Sequence, residues 1–149
     1  MERNNLLVRK IIIMGILSIF SFGLGGCFSE QIPTKNDIVG VWKSQYGETL
    51  TINNDSSFIA DNLKTESLYR KASKEKINGQ GNWEIVKKKD VWILHLSFSI
   101  YVKDGIKNDR GQGFPLYIRG DGFLGNKLPW RIHSWDEDDF DFSVFKKVE

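Results

Sequence analysis

Cys27 is the single cysteine of the chain, and its thiol is the strongest nucleophile the sequence offers. It follows Leu24-Gly25-Gly26. Small residues there suit a peptidase whose active site admits little bulk before the bond it cuts. The remaining reactive side chains form weaker patterns. His95 and His133 are the two histidines, each among alternating apolar residues. A metal or acid–base pair would require them to converge from distant strands, and no HExxH spacing exists. Asp136-Glu137-Asp138-Asp139, with Asp141, offers hard oxygen ligands for a calcium ion. The alternating ligands, glycine and distal glutamate of an EF-hand are missing, so the run reads as a solvated acidic turn. Gly79-Gln80-Gly81 and Gly111-Gln112-Gly113 are not followed by a helix whose N-terminus would hold an anion. Ser97, Ser99, Ser134 and Ser143 lack a nucleophile-elbow context. These patterns predict no catalytic residue, no metal centre and no cofactor.

What precedes Cys27 gives that thiol its meaning. Arg3, Arg9 and Lys10 come first, opposed by Glu2, and Ile11 to Leu24 then runs without a charge. That stretch fits the roughly 7–15 apolar residues of a signal peptide. It falls short of the about 20 that span a bilayer. Together with the small residues, Leu24-Gly25-Gly26-Cys27 closely resembles the lipobox of bacterial lipoproteins. The resemblance covers residues 1–27. It implies that the Cys27 sulfur receives a diacylglyceryl group and that the leader is cut before it. One acyl chain gives only marginal membrane binding, whereas two hold stably. Membrane lipid, reached through acylated Cys27, is thus the expected first partner. Acylation also consumes the thiol, so neither a disulfide nor a thiolate nucleophile remains. The implied organisation is a signal peptide over 1–26, a lipidated tether over 27–37 and a β-domain over 38–149. The implied location is the bacterial cell envelope. Phe28, rather than Asp, follows Cys27, which favours the outer membrane if the host has one.

The full chain has 149 residues and a formal charge of +2, from 21 Lys+Arg against 19 Asp+Glu. The leader carries three of those bases and one of the acids, so the mature chain is formally neutral. A nucleic-acid reader would keep a surplus of basic charge, and that class is set aside. Lys64 to Lys89 is locally basic, and residues 136–141 are locally acidic. The basic stretch could face anionic headgroups or an acidic partner. Two solvated turns of opposite sign are the simpler expectation.

The elements that must position all of this read as strands. Leu50 and Ile52 alternate with Thr49, Thr51 and Asn53, Phe58 and Ala60 alternate with Ser57, Ile59 and Asp61, and Asn53-Asn54-Asp55-Ser56 lies between them. This is the best hairpin signal in the chain. Trp83 and Ile85 flank Glu84, and a polar turn is expected across Val86–Val91. Trp92, Leu94, Leu96, Phe98 and Ile100 then share one face of a long strand. Further strands are expected at Phe114–Arg119, Pro129–Ser134 and Phe140–Phe145. Asp104-Gly105, Asp121-Gly122 and Gly125-Asn126 mark turns. Pro115 lacks a ladder donor, which puts its strand at an edge or starts it there. Only Leu63–Lys76 could be helical, and a long loop is the equal alternative. Seven or eight short strands predict an all-β fold, an antiparallel barrel or sandwich.

Gly40-Val41-Trp42-Lys43, then Leu50-Thr51-Ile52, Phe58, Gly81-Asn82-Trp83-Glu84-Ile85 and Trp92-Ile93-Leu94-His95-Leu96, resemble a lipocalin-like bacterial lipoprotein. The chain departs from that pattern at Asp55-Ser56-Ser57-Phe58, where such proteins often read Asp-Gly-Thr-Phe. Asp139-Phe140-Asp141-Phe142 through Phe145-Lys146-Lys147 resembles their closing strand. The likeness implies a small lipocalin-like antiparallel barrel. Trp42, Trp83, Trp92 and Trp130 fall on apolar positions and default to the core. Trp135, out of phase with Trp130 and Ile132, is the candidate exposed anchor. Trp135, together with Trp130 on the neighbouring strand segment, is taken as the candidate ligand or partner contact. The first functional expectation is a non-catalytic module that binds a small apolar ligand or an envelope protein. The alternative is a structural or protein-interaction lipoprotein, of inhibitor or immunity type, with a filled barrel and no ligand.

Overall fold

The computed structural model describes residues 30–64, 75–109, 111–122, 126–134 and 143–148. Cys27 and its leader, Trp135 and the acidic run 136–141 lie outside the described residues. One short helix, α1 (Lys35–Ile38), precedes nine strands. These are β1 (Gly40–Ser44), β2 (Thr49–Ile52), β3 (Ser57–Lys64), β4 (Lys76–Lys88), β5 (Val91–Lys103), β6 (Ile106–Asn108), β7 (Gln112–Gly120), β8 (Trp130–His133) and β9 (Val144–Val148).

The sheet order is β4-β3-β2-β1-β9-β8-β7-β5-β6, and β4 also pairs with β5. That last pairing closes eight antiparallel strands into a barrel. With β6 set aside as a flap on the end of β5, every strand neighbours the next in sequence. The chain is an up-and-down meander sealed by β1 against β9. Of the barrel or sandwich that the strand pattern predicted, the chain forms the barrel, consistent with the lipocalin-like fold that the resemblance implied.

Period-two alternation fills the interior. Trp42, Leu50, Ile52, Phe58, Trp83, Leu94, Leu96, Phe98, Phe114, Leu116, Ile118, Ile132 and Phe145 all belong to one buried cluster. Phe98 is its hub, with edge-on rings of Phe58 at 4.9 Å and Phe114 at 5.4 Å. Edge-to-face pairs at this spacing add to what burial alone contributes. Buried indoles need an acceptor. Trp42 Nε1 donates to the Ile38 carbonyl at 2.7 Å, and Trp83 Nε1 donates to the Asn53 carbonyl at 3.0 Å.

The Asn53–Ser56 turn joins β2 to β3 as expected, and Ser56 stands at φ +70° where the related pattern has glycine. Asp55 compensates by accepting from the Ser57 amide and hydroxyl at 2.9 and 2.6 Å. Asp104-Gly105 has φ values of +52° and +76°, the type I′ signature of a two-residue hairpin.

Several expectations change. The polar turn over Val86–Val91 contracts to Lys89-Asp90, because β4 and β5 stay paired from Lys88↔Val91 onwards. Leu63 and Lys64 end β3 and Lys76 starts β4, so neither end of the possible helix is helical. The residues between 64 and 75 lie outside the described ones. The last strand is described from Val144, so only its Phe145 end matches Phe140–Phe145. Strand β6 had no period-two signal, since Ile106 is exposed. Pro115 pairs with His95 on β5, and among the described residues the β7–β8 register runs only from Tyr117 to Gly120.

The stretch read as tether is structured from Glu30 onwards. Thr34 caps α1 in a capping box with Asp37, and Ile38 is buried. Two opposing effects act on Asp37. Burial raises its pKa, but bonds from the Thr34 hydroxyl and amide outweigh it, helped by the Lys147 charge. The carboxyl is held below its ordinary range.

Candidate functional site

The same alternation that turns Ile118, Ile132, Phe145 and Trp42 inward turns their chain neighbours outward. Those neighbours are Arg119, Arg131, Lys146 and Lys43. The ladder register then aligns them. Arg119 pairs with Arg131, Arg131 with Lys146, and Lys146 with Lys43. Four successive strands, β7, β8, β9 and β1, each contribute one cation to a single cross-strand row. At about 4.8 Å between strands the row spans about 14 Å.

Like charges directly opposite one another in a sheet are destabilising, so this row is not what stability alone would select. It floors an open groove of about 640 Å³, bordered also by Ser44, Gln45, Gly120, Asp121, His133 and Val144. Asp121 is the acid of the groove. Arg131 donates to its Oδ2 through Nε at 3.0 Å and Nη2 at 2.7 Å. Those bonds and the Arg131 charge hold the Asp121 carboxyl below its ordinary value, with Lys146 and His133 adding to the effect. Among the described residues lining the groove, Asp121 is the carboxylate, and Arg119, Arg131, Lys146 and Lys43 are the basic side chains of the row. Guanidinium forks and ammonium groups in this arrangement hold anions, above all phosphates and carboxylates.

The groove's rim is tied to the start of the domain. The Asp121 amide donates to the Pro129 carbonyl at 2.9 Å, and the Gly120 amide donates to Asn126 Oδ1. The Gln31 amide in turn donates to the Asn126 carbonyl at 3.2 Å, and Leu128 N donates to Gln31 Oε1 at 3.1 Å. The chain leaves toward Cys27 beside the Arg119 end of the row.

The other candidates fall elsewhere. Trp130 is 4 % exposed and belongs to the core cluster. That burial leaves its ring no surface to offer a partner. Trp135 and Cys27 lie outside the described residues. His95 sits on β5, with Nδ1 at 3.6 Å from Glu84 Oε1. His133 sits on β8, opposite Tyr117 and Val144. Strand β7 runs between the two histidines, and they pair with it two residues apart, at Pro115 and Tyr117. Two strand spacings and two residue rises put their backbones about 12 Å apart. Among the described residues, no group of three or more His, Cys, Asp or Glu could hold a metal ion. Within the basic stretch 64–89, Lys64 lies over the Tyr46 ring at 3.3 Å and Lys87 over the Trp92 ring at 5.2 Å. Both use aromatic faces of the barrel itself.

Sequence reasoning missed the cationic row. Each member is visible as the polar residue beside an inward apolar one, but the alignment exists only in the closed sheet. The chain matches no family model, no curated protein and no solved structure.

Proposed function

We propose that this chain is a lipid-anchored envelope lipoprotein that acts through the outer wall of its barrel, without catalysis and without an apolar ligand inside. One observation carries the choice between the two expected binding modes. The strand-alternate aromatics that would line a ligand cavity pack on each other instead, with Phe98 in edge contact with both Phe58 and Phe114. A ligand site needs apolar walls around open space. Here the rings of Phe58, Phe98 and Phe114 take up part of that space, while the aligned charge lies outside on Arg119, Arg131, Lys146 and Lys43. The barrel is then a rigid carrier for an interaction surface, and Cys27 fixes it at a membrane.

Native mass spectrometry of the mature protein, purified from its own envelope, tests this. The expected spectrum shows a diacylglyceryl mass on the chain and no small apolar ligand. A stoichiometric apolar ligand that survives purification would restore the cavity reading.

A further inference from the structure

We propose that Ile32 and Leu128 form an apolar tip that enters the boundary between headgroups and acyl chains, so that the barrel stands end-on over the membrane that anchors it. The proposal rests on Cys27 being the point of lipid attachment.

Exposure is the first support. Ile32 is 63 % exposed and Leu128 is 52 % exposed, and Pro129 beside it is exposed as well. Both belong to the end of the barrel where β1 and β8 begin and β7 and β9 finish. At that end Val148 faces Val41 across the β1–β9 ladder, and both are exposed. The β8–β9 register, Arg131 opposite Lys146, carried two residues further, sets Val148 beside Pro129. Aliphatic side chains thus follow one another around part of one barrel end.

The second support is that the tip is held outward. A loose loop could fold its leucine back onto the core, but this one is pinned on both sides. The Leu128 amide donates to Gln31 Oε1 at 3.1 Å. The neighbouring carbonyls of Lys127 and Pro129 accept from the Gly122 and Asp121 amides at 3.2 and 2.9 Å. The Gln31 amide donates to the Asn126 carbonyl at 3.2 Å, and Asn126 Nδ2 donates to Glu30 Oε1 at 3.3 Å. Ile32 and Leu128 therefore stand on two segments bonded side by side.

Position is the third. Four residue steps separate Gln31 from Cys27, and fully extended they reach at most about 14 Å. Acyl chains on Cys27 enter the bilayer within that reach of the tip. A protein partner would have to fit the same gap. Two aliphatic side chains also fall far short of the about 800 Å² per partner that a stable protein interface buries. A bilayer asks for less, because apolar side chains beside an existing anchor add to binding in proportion to the area they bury. Glu30 and Lys127 flank the tip with one charge of each sign, so the contact needs no anionic lipid. Strand β5 starts at this end, and its 13 residues carry the chain about 40 Å along the barrel wall toward β6. Ile106, 67 % exposed on β6, is thereby placed far from the headgroups.

The test uses the mature acylated protein in phosphatidylcholine vesicles. Acylation consumes the thiol of Cys27, so an introduced cysteine is the only free one. A nitroxide is attached in Ile32→Cys, in Leu128→Cys and in Ile106→Cys. Spin relaxation reads its collisions with oxygen, which concentrates among acyl chains, and with a water-soluble nickel chelate. The labels at 32 and 128 are expected to favour oxygen by several times the ratio at 106, and high salt should leave that ratio unchanged. Leu128→Asn behind the label at 32, and Ile32→Asn behind the label at 128, should bring the ratio down toward the value at 106. Circular dichroism checks the fold of each variant. An aqueous ratio at both tip positions would overturn the insertion, and an acyl-chain ratio at 106 as well would overturn the end-on stance. Shielding from both reagents, with spin–spin broadening between copies, would assign the tip to a second copy of the chain instead. A mature chain without the lipid mass on Cys27 would overturn the anchoring reading itself, and intact mass separates that result from the others.

Discussion

Lys43 and Lys146 face each other directly across the β1–β9 ladder that closes the barrel. Both are exposed, and neither contributes to the core. Barrel closure thus brings two like charges together at its own seam. Opposed like charges in a sheet cost a few tenths of a kcal/mol to about 1 kcal/mol. Lys43→Thr should therefore raise the urea midpoint at low ionic strength. The gain should shrink at high salt, because exposed charges are screened. A lower midpoint would show that the pair does not repel in the folded state.

Ser56 occupies a left-handed conformation, at φ +70°, in the β2–β3 turn. That region costs a non-glycine residue about 1–2 kcal/mol. Its side chain makes one exposed bond, from Lys35 Nζ at 3.1 Å. Ser56→Gly should stabilise the domain by about 0.5–1 kcal/mol, after the greater chain entropy of glycine is subtracted. Chemical denaturation measures this, and a loss of stability would mean that the Lys35 bond outweighs the backbone strain.

Gly81 is required for a different reason. A Cβ there would lie 1.9 Å from the Ser97 carbonyl oxygen and 2.8 Å from the Phe98 Cα, both backbone atoms. It sits where the β4–β5 register shifts, between Gln80 and Gly81. Gly81→Ala should destabilise the protein by about 1–3 kcal/mol or more, since backbone must move to admit the methyl group. Thermal melting checks this, and a wild-type midpoint would contradict the close approach.

Acid should weaken the docking of α1. Asp37 has a folded-state pKa below its ordinary 3.8, because the Thr34 bonds and Lys147 outweigh burial. A depressed carboxyl contributes stability that is complete above its unfolded value and is lost as pH falls through the lower folded one. Stability should thus fall below about pH 4, and Asp121 and Asp55, also depressed, should add to the decline. Asp37→Asn should lower stability at neutral pH and converge on the wild type in acid. Parallel pH profiles for the two proteins would remove Asp37 from the acid limb.

Cys27→Ser should leave an uncleaved precursor that lacks the lipid mass. Intact-protein mass spectrometry of the membrane fraction reads both changes. Cleavage at another site, with membrane association unchanged, would sink the lipoprotein reading.

Much of the barrel was legible in the chain because its information is local. Trp92, Leu94, Leu96 and Phe98 declare their inner face by alternation alone, and Asn53–Ser56 and Asp104-Gly105 declare their turns. Segments with weak local signals were misread. Glu30 to Asp37 has little apolar content and resembled a tether, yet its bonds go to Asn126 and Leu128, far along the chain. Trp130, a plausible contact by residue type, is buried because it shares the inward face of β8 with Ile132.

The sequence by itself determined which side of most strands is wet. Alternation has a period of two residues and needs no distant partner. It says nothing of register. That Arg119, Arg131, Lys146 and Lys43 share one row was decided only when β1 closed against β9. Register is set by the fit of the whole core, and no short stretch of sequence carries that sum.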